Sequence, residues 1–168
     1  MSEREYFRGY ALQGVDDKGR VAIPAALRST LEANTPARDD GKDVRQVVIS
    51  VHEEGACLTG FDTVAANEQV LDLKRREADI VGTSGKRDWA MLRLGIGPSE
   101  TLPFDSSGRF ILPGFPRDEA GIEDLAFFYG VGESFEIWDP RRLIKHATAP
   151  DAMKAACRYL CKQKGVIL

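Results

Sequence analysis

The chain has 168 residues, 43% hydrophobic and 29% charged, the balance of a folded globular protein and not of a disordered one. No run approaches the roughly 20 apolar residues of a membrane span, and the charged opening MSEREYFRGY lacks a signal peptide's apolar stretch, so the expected location is the cytoplasm. The net charge of −3 argues at first sight against a nucleic-acid partner, but residues 140–168 hold seven Lys/Arg against the single acid Asp151, leaving the rest at about −9.

In chain order, the first unit reads as strand, charged glycine turn, strand, short helix, hairpin and longer helix. The turn lies in VDDKGRVAIPAALR, Val15 to Arg28. Gly19 suits a backbone position with positive φ. Asp16 can close the turn onto backbone N–H groups or pair with Arg20. Pro24 ends the strand and opens a helix whose buried side is Ile23, Leu27 and Leu31. A polar insertion, NTPARDDGKDVRQ, precedes the hairpin, and Asp62 stands as N-cap of a helix expected from about Thr63 to Asp79. The Gly/Ser stretch VGTSGK is expected to break it before a helical turn or two in RDWAMLRLG.

The second unit repeats the device. FDSSGRFILPGFPR, Phe104 to Arg117, aligns with the first string without a gap at an offset of 89, keeping Asp105, Gly108, Arg109, Pro113 and Arg117. Pro116 replaces Leu27, so the following helix should be shorter or start later. A second hairpin leads to Asp139, an N-cap followed by Pro140, and to a helix interrupted at TAPDA that resumes to about Lys164. The units divide as residues 6–80 and 81–168.

Cys57, Cys157 and Cys161 make no CxxC pair and read as buried or idle thiols. His52 and His146 have no evident ligand cluster along the chain, no HExxH or GxSxG frame exists, and GTSGKR lacks phosphate-loop spacing. No enzyme, cofactor, metal or small-molecule substrate is indicated.

The stretches YFRGYALQGVDDKGRVAIPAALR, FDSSGRFILPGFPRDEAGI and FEIWD together resemble the MraZ family of bacterial regulators of the division and cell-wall gene cluster. The resemblance covers nearly the whole chain, and its most specific element is the duplicated DxxxR with flanking Pro and Arg. It implies an α+β, β-rich fold of two tandem AbrB-like units, their strands intertwined into a pseudo-symmetric barrel flanked by helices. It further implies a ring-shaped homo-oligomer on the nucleoid that binds direct repeats in double-stranded DNA upstream of its own operon. Mapped by motif, the DNA-contacting residues are Arg20 and Arg109 with Lys18, turned by Asp16, Gly19, Asp105 and Gly108. Ser107 stands where the first copy has Lys18, so the second turn lacks that cation.

Other residues keep two readings. Arg28 and Arg117 serve packing or a cap as readily as DNA, and Arg4 and Arg8 are candidates for DNA or a neighbouring subunit. The basic stripe Lys154, Arg158 and Lys162 is a solvated face or a contact for an acidic partner surface. An alternative function is an AbrB-like protein-interaction module, an antidote or assembly factor; a basic helical tail and two units favour the regulator.

Overall fold

A computed structural model describes residues 3–42 and 44–168. Among the described residues the fold is mixed α+β with eight strands and six helices. The first half contains β1 (Tyr10–Gly14), β2 (Arg20–Ala22), α1 (Ala25–Asn34), β3 (Gln46–Val51), β4 (Leu58–Phe61) and α2 (Thr63–Ser84). After α3 (Trp89–Gly95) come β5 (Ser99–Pro103), β6 (Arg109–Ile111), α4 (Gly114–Glu119), β7 (Leu125–Gly130), β8 (Phe135–Trp138), α5 (Pro140–Lys145) and α6 (Asp151–Gln163).

Six strands form one antiparallel sheet in the order β1-β7-β8-β4-β3-β5, and β2 and β6 form a separate two-stranded sheet. Exchanging the halves, β1 for β5, β3 for β7 and β4 for β8, returns the same order reversed. Each edge strand pairs with a strand of the other half, so the halves are intertwined and share one core. A closed barrel is not formed. The turns at Asp16 and Asp105 lead β2 and β6 out of the sheet to pair as a separate ribbon, leaving β1 and β5 as open edges.

The main core lies between the sheet, the ribbon, α1 and the residues that follow α4. Val21 and Phe110 on the ribbon, Leu27 and Leu31 on α1, and Phe128, Phe135 and Ile137 on the sheet belong to one buried cluster. Phe135 is its centre: fully buried, with ring centroids 5.3 Å from Phe7 and 6.0 Å from Phe128. It lies over Gly60, its register partner, where an added Cβ would stand 2.2 Å from the ring.

The sheet's other face is covered unevenly. Met153, Cys157 and Cys161, at i, i+4 and i+8 on α6, seal Phe127, Leu12 and Trp138. All three cysteines are buried, and burial pushes the Cys157 thiol up to about 12. The longer α2 buries only Ala65 and Glu77, leaving Leu71 and Val81 exposed along it and Trp89 and Leu94 exposed on α3. No helix among the described residues is long and apolar enough to cross a membrane.

Asp62 and Asp139 are N-caps as expected, accepting hydrogen bonds from Ala65 N and from Arg141 N and Arg142 N. Helix α4 has six residues against ten in α1, consistent with Pro116 inside its first turn. Helix α2 overruns its expected end. Thr83 and Ser84 hydroxyls donate back to the Ile80 carbonyl, and the helix stops only at Gly85, with φ 71°. The last helix is interrupted as expected, between Lys145 and Asp151.

Candidate nucleic-acid interface

Both charged turns have the same construction. In the first, Asp16 Oδ1 accepts from Lys18 N at 3.0 Å and Arg20 N at 2.8 Å, while Oδ2 accepts from Arg20 Nε at 2.6 Å. In the second, Asp105 Oδ1 accepts from Ser107 N at 2.9 Å and Arg109 N at 3.0 Å, and Oδ2 from Arg109 Nε at 2.9 Å. The aspartate therefore both closes the turn and aims the arginine. Bonding to the Arg20 and Arg109 backbone N–H groups, reinforced by each guanidinium, holds the Asp16 and Asp105 carboxyls below the usual carboxylate range. Their contribution is thus present above the unfolded-state value of about 3.9 and lost as pH falls through the lower native values.

Gly19 and Gly108 adopt φ of 81° and 82°, the left-handed region that a side chain resists. Each turn is also fastened to the other half: Gly108 O accepts from Ile23 N at 2.8 Å, and Gly19 O from Leu112 N at 2.9 Å. A Cβ on Gly108 would lie 2.8 Å from the Ile23 carbonyl, whereas one on Gly19 would lie 3.3 Å from Leu112 O. The left-handed backbone alone costs a substituted residue about 1–2 kcal/mol. Gly108→Ala is therefore expected to destabilise more than Gly19→Ala, by about 1 kcal/mol for the forced backbone shift. Urea unfolding of the two variants measures the difference.

The ribbon brings both arginines to one surface. Val21 pairs with Phe110 and both point inward, so Arg20, Ala22, Arg109 and Ile111 share the outward face. Arg20 lies opposite Ile111, which makes Arg20 and Arg109 diagonal neighbours, a spacing of about 7–8 Å that long side chains can bridge. Their side chains are 56% and 66% exposed, and with Asp16 and Asp105 they line a cleft of about 580 Å³. Each guanidinium is committed through Nε alone. Among the described residues its Nη1 and Nη2 edge makes no hydrogen bond and faces outward with two parallel donors. Lys18 is exposed at the tip of the first turn, and Ser107 occupies that tip in the second.

The remaining candidates separate from this face. Arg117 is engaged within the fold: Nε donates to Ile122 O at 3.0 Å and Nη2 to Glu123 O at 2.6 Å, and Nη1 lies 3.3 Å from the Cβ position of Gly19. Arg28 lies across the opposite turn, with Nη1 3.0 Å from the Cβ position of Gly108. In each half the helix arginine thus lies beside the other half's turn. Arg4 is held by the buried Asp62 at 2.6 Å, an ion pair no sequence pattern announced. Arg8 adjoins the Phe7–Gly132 bridge, at the far end of β1 from the Asp16 turn, and does not join the arginine face.

Comparison with known proteins bears on this geometry. No protein-family model matches the sequence. The chain is 33% identical over 134 residues to the "Transcriptional regulator MraZ" of Ruegeria pomeroyi, covering 80% of this chain and 77% of the relative. It is 30% identical over 131 residues to the protein of that name in Rhodospirillum rubrum, covering 77% and 76%. The chain belongs to the MraZ family. A third MraZ relative, from Legionella pneumophila (strain Corby), is 30% identical over 133 residues, with 79% of each chain aligned. These alignments are long enough to take in one or both arginine turns, whichever end of this chain they leave out.

Proposed function

We propose that this MraZ-family protein is a sequence-specific DNA-binding transcription regulator, and that the β2–β6 ribbon is its reading head. The observation that carries this reading is the pair of guanidinium groups anchored through Nε with free outward edges. A two-stranded ribbon fits the major groove, and an arginine presenting two parallel donors matches guanine O6 and N7 or a phosphate. Asp16 and Asp105 fix the side chains before DNA arrives, reducing the ordering cost of binding. Lys18 adds a cation for the backbone at the first turn only, so the first turn carries more of the affinity.

One ribbon offers few contacts on an acidic molecule. The reading therefore includes a homo-oligomer, in keeping with the exposed apolar side chains of α2 and α3. Such a ring would present the ribbon repeatedly to direct repeats upstream of the division and cell-wall genes, converting weak contacts into avidity. Arg8 and the basic stripe of α6 are then candidates for subunit contacts. In this account residues 6–80 and 81–168 are two AbrB-like repeats, the protein acts in the cytoplasm at the nucleoid, and no catalytic step or cofactor is involved.

The test is fluorescence-anisotropy binding to the duplex upstream of the gene and to a scrambled duplex, with light scattering for the oligomer. Preference for the upstream sequence of tenfold or more by an oligomeric species supports the reading. Equal affinity for both duplexes, or binding to neither, removes it in favour of a protein-interaction module.

A further inference from the structure

Away from the ribbon, three side chains of different chemistry converge at the far end of the β3–β4 hairpin. His52 follows β3, Cys57 precedes β4, and Glu136 lies on β8, in the other half of the chain. One donor atom from each lies within 4.8 Å of the other two. Glu136 Oε1 is 3.8 Å from His52 Nε2, and its other oxygen accepts from Trp138 Nε1 at 2.7 Å, which fixes the carboxylate. Cys57 is buried, while the His52 and Glu136 side chains are 28% and 18% exposed, so the sulfur forms the floor and one side opens to solvent.

We propose that His52, Cys57 and Glu136 form a binding site for a divalent transition-metal ion of the zinc class. One thiolate, one imidazole and one carboxylate make a mixed soft and hard donor set that suits zinc and disfavours magnesium or calcium, which take oxygen ligands. The two anionic ligands balance the dication within a half-buried site. Bonds of about 2.0–2.3 Å require ligand atoms roughly 3.4–3.6 Å apart, so a contraction of about 1 Å completes three corners of a tetrahedron and leaves the fourth for water. Trp138 supplies the outer-shell hydrogen bond such sites use to orient a ligand. Nδ1 of His52 accepts from Glu54 N at 3.1 Å. Ligation through Nε2 moves the ring proton to Nδ1, so the exposed turn at residues 52–55 must release that bond. A bound ion ties the hairpin of the first half to β8 of the second, remote from the arginine turns.

The experiment uses full-length, tag-free protein stripped with chelator and titrated with Co²⁺ and Zn²⁺. One equivalent of Co²⁺ per chain should give a near-ultraviolet thiolate charge-transfer band that Zn²⁺ displaces, with a Zn²⁺-dependent rise in Tm. His52→Ala and Glu136→Gln, both partly exposed and checked for folding by circular dichroism, should each weaken Zn²⁺ binding at least tenfold, and Cys57→Ser should abolish the band. Absence of the band at one equivalent, or unchanged affinity in the folded His52→Ala and Glu136→Gln proteins, overturns the proposal.

Discussion

Replacing Arg20 by alanine is expected to weaken binding to the upstream DNA by about 1–3 kcal/mol per contact, roughly 5- to 150-fold, while leaving oligomer and fold intact. The side chain is 56% exposed, and among the described residues its hydrogen bonds run to Asp16 alone, so its removal deletes a donor pair at the surface and not in the core. The loss is multiplied where several subunits engage the same duplex. Arg109→Ala should cost less, because Ser107 leaves its turn without the cation that Lys18 gives the first. Lys18→Ala differs in kind: it should lower affinity for all duplexes and reduce the salt slope by about one. Asp16→Asn keeps a cap for the turn but removes the charge that holds the guanidinium, so it should fall between wild type and Arg20→Ala. Anisotropy titrations at two salt concentrations rank the four variants.

The second large effect concerns the fold. Phe135→Ala is expected to lower stability by about 3–5 kcal/mol, because the ring is fully buried among Phe7, Phe128 and Gly60 and its loss leaves a cavity there. Gly60→Ala should cost about 1–3 kcal/mol for the opposite reason, since its methyl group would meet the same ring. The two effects are coupled. In a Phe135→Ala background the Gly60→Ala penalty should shrink or reverse, because the added methyl enters the space the ring vacated. Additive losses in chemical unfolding of the two single variants and the double variant would show that the methyl–ring encounter is not what makes Gly60 necessary. Because β4 and β8 join the two halves here, these variants test how firmly the halves are held as one core.

Legibility in the sequence followed the range of the interaction. The turns could be read residue by residue, since Asp16 with Gly19 and Arg20, and Asp105 with Gly108 and Arg109, complete their bonds within five residues. The N-caps Asp62 and Asp139 were legible for the same reason. The strands were legible but their partners were not: alternation fixes which face a strand buries, not which strand lies beside it. That is why β2 and β6 pairing as a ribbon, in place of closing a barrel, emerges only in three dimensions. The arginines divide in the same way. Arg20 and Arg109 are local to their turns, whereas Arg117 binds carbonyls beyond its helix and Arg4 reaches Asp62 across 58 positions. His52, Cys57 and Glu136 were invisible as a group because β4 must pair with β8 before they meet. Helix α2 runs past Asp79 into VGTSGK because Thr83 and Ser84 bond to helix carbonyls, and Gly85 of that stretch makes the expected break.

If the outward edge of Arg20 reads a guanine in the major groove, that contact depends on the N7 acceptor of the base. It is tested most directly by a cycle in which each guanine of the upstream site is replaced by 7-deazaguanine, which lacks the N7 acceptor, and bound by wild type and by Arg20→Ala. At least one guanine is expected whose replacement weakens wild type by about 1 kcal/mol or more but leaves Arg20→Ala unaffected. Equal losses in both proteins at every guanine would exclude base reading by Arg20 and leave it a phosphate contact, if Arg20→Ala weakens all duplexes alike, or a strut for its turn, if it weakens none.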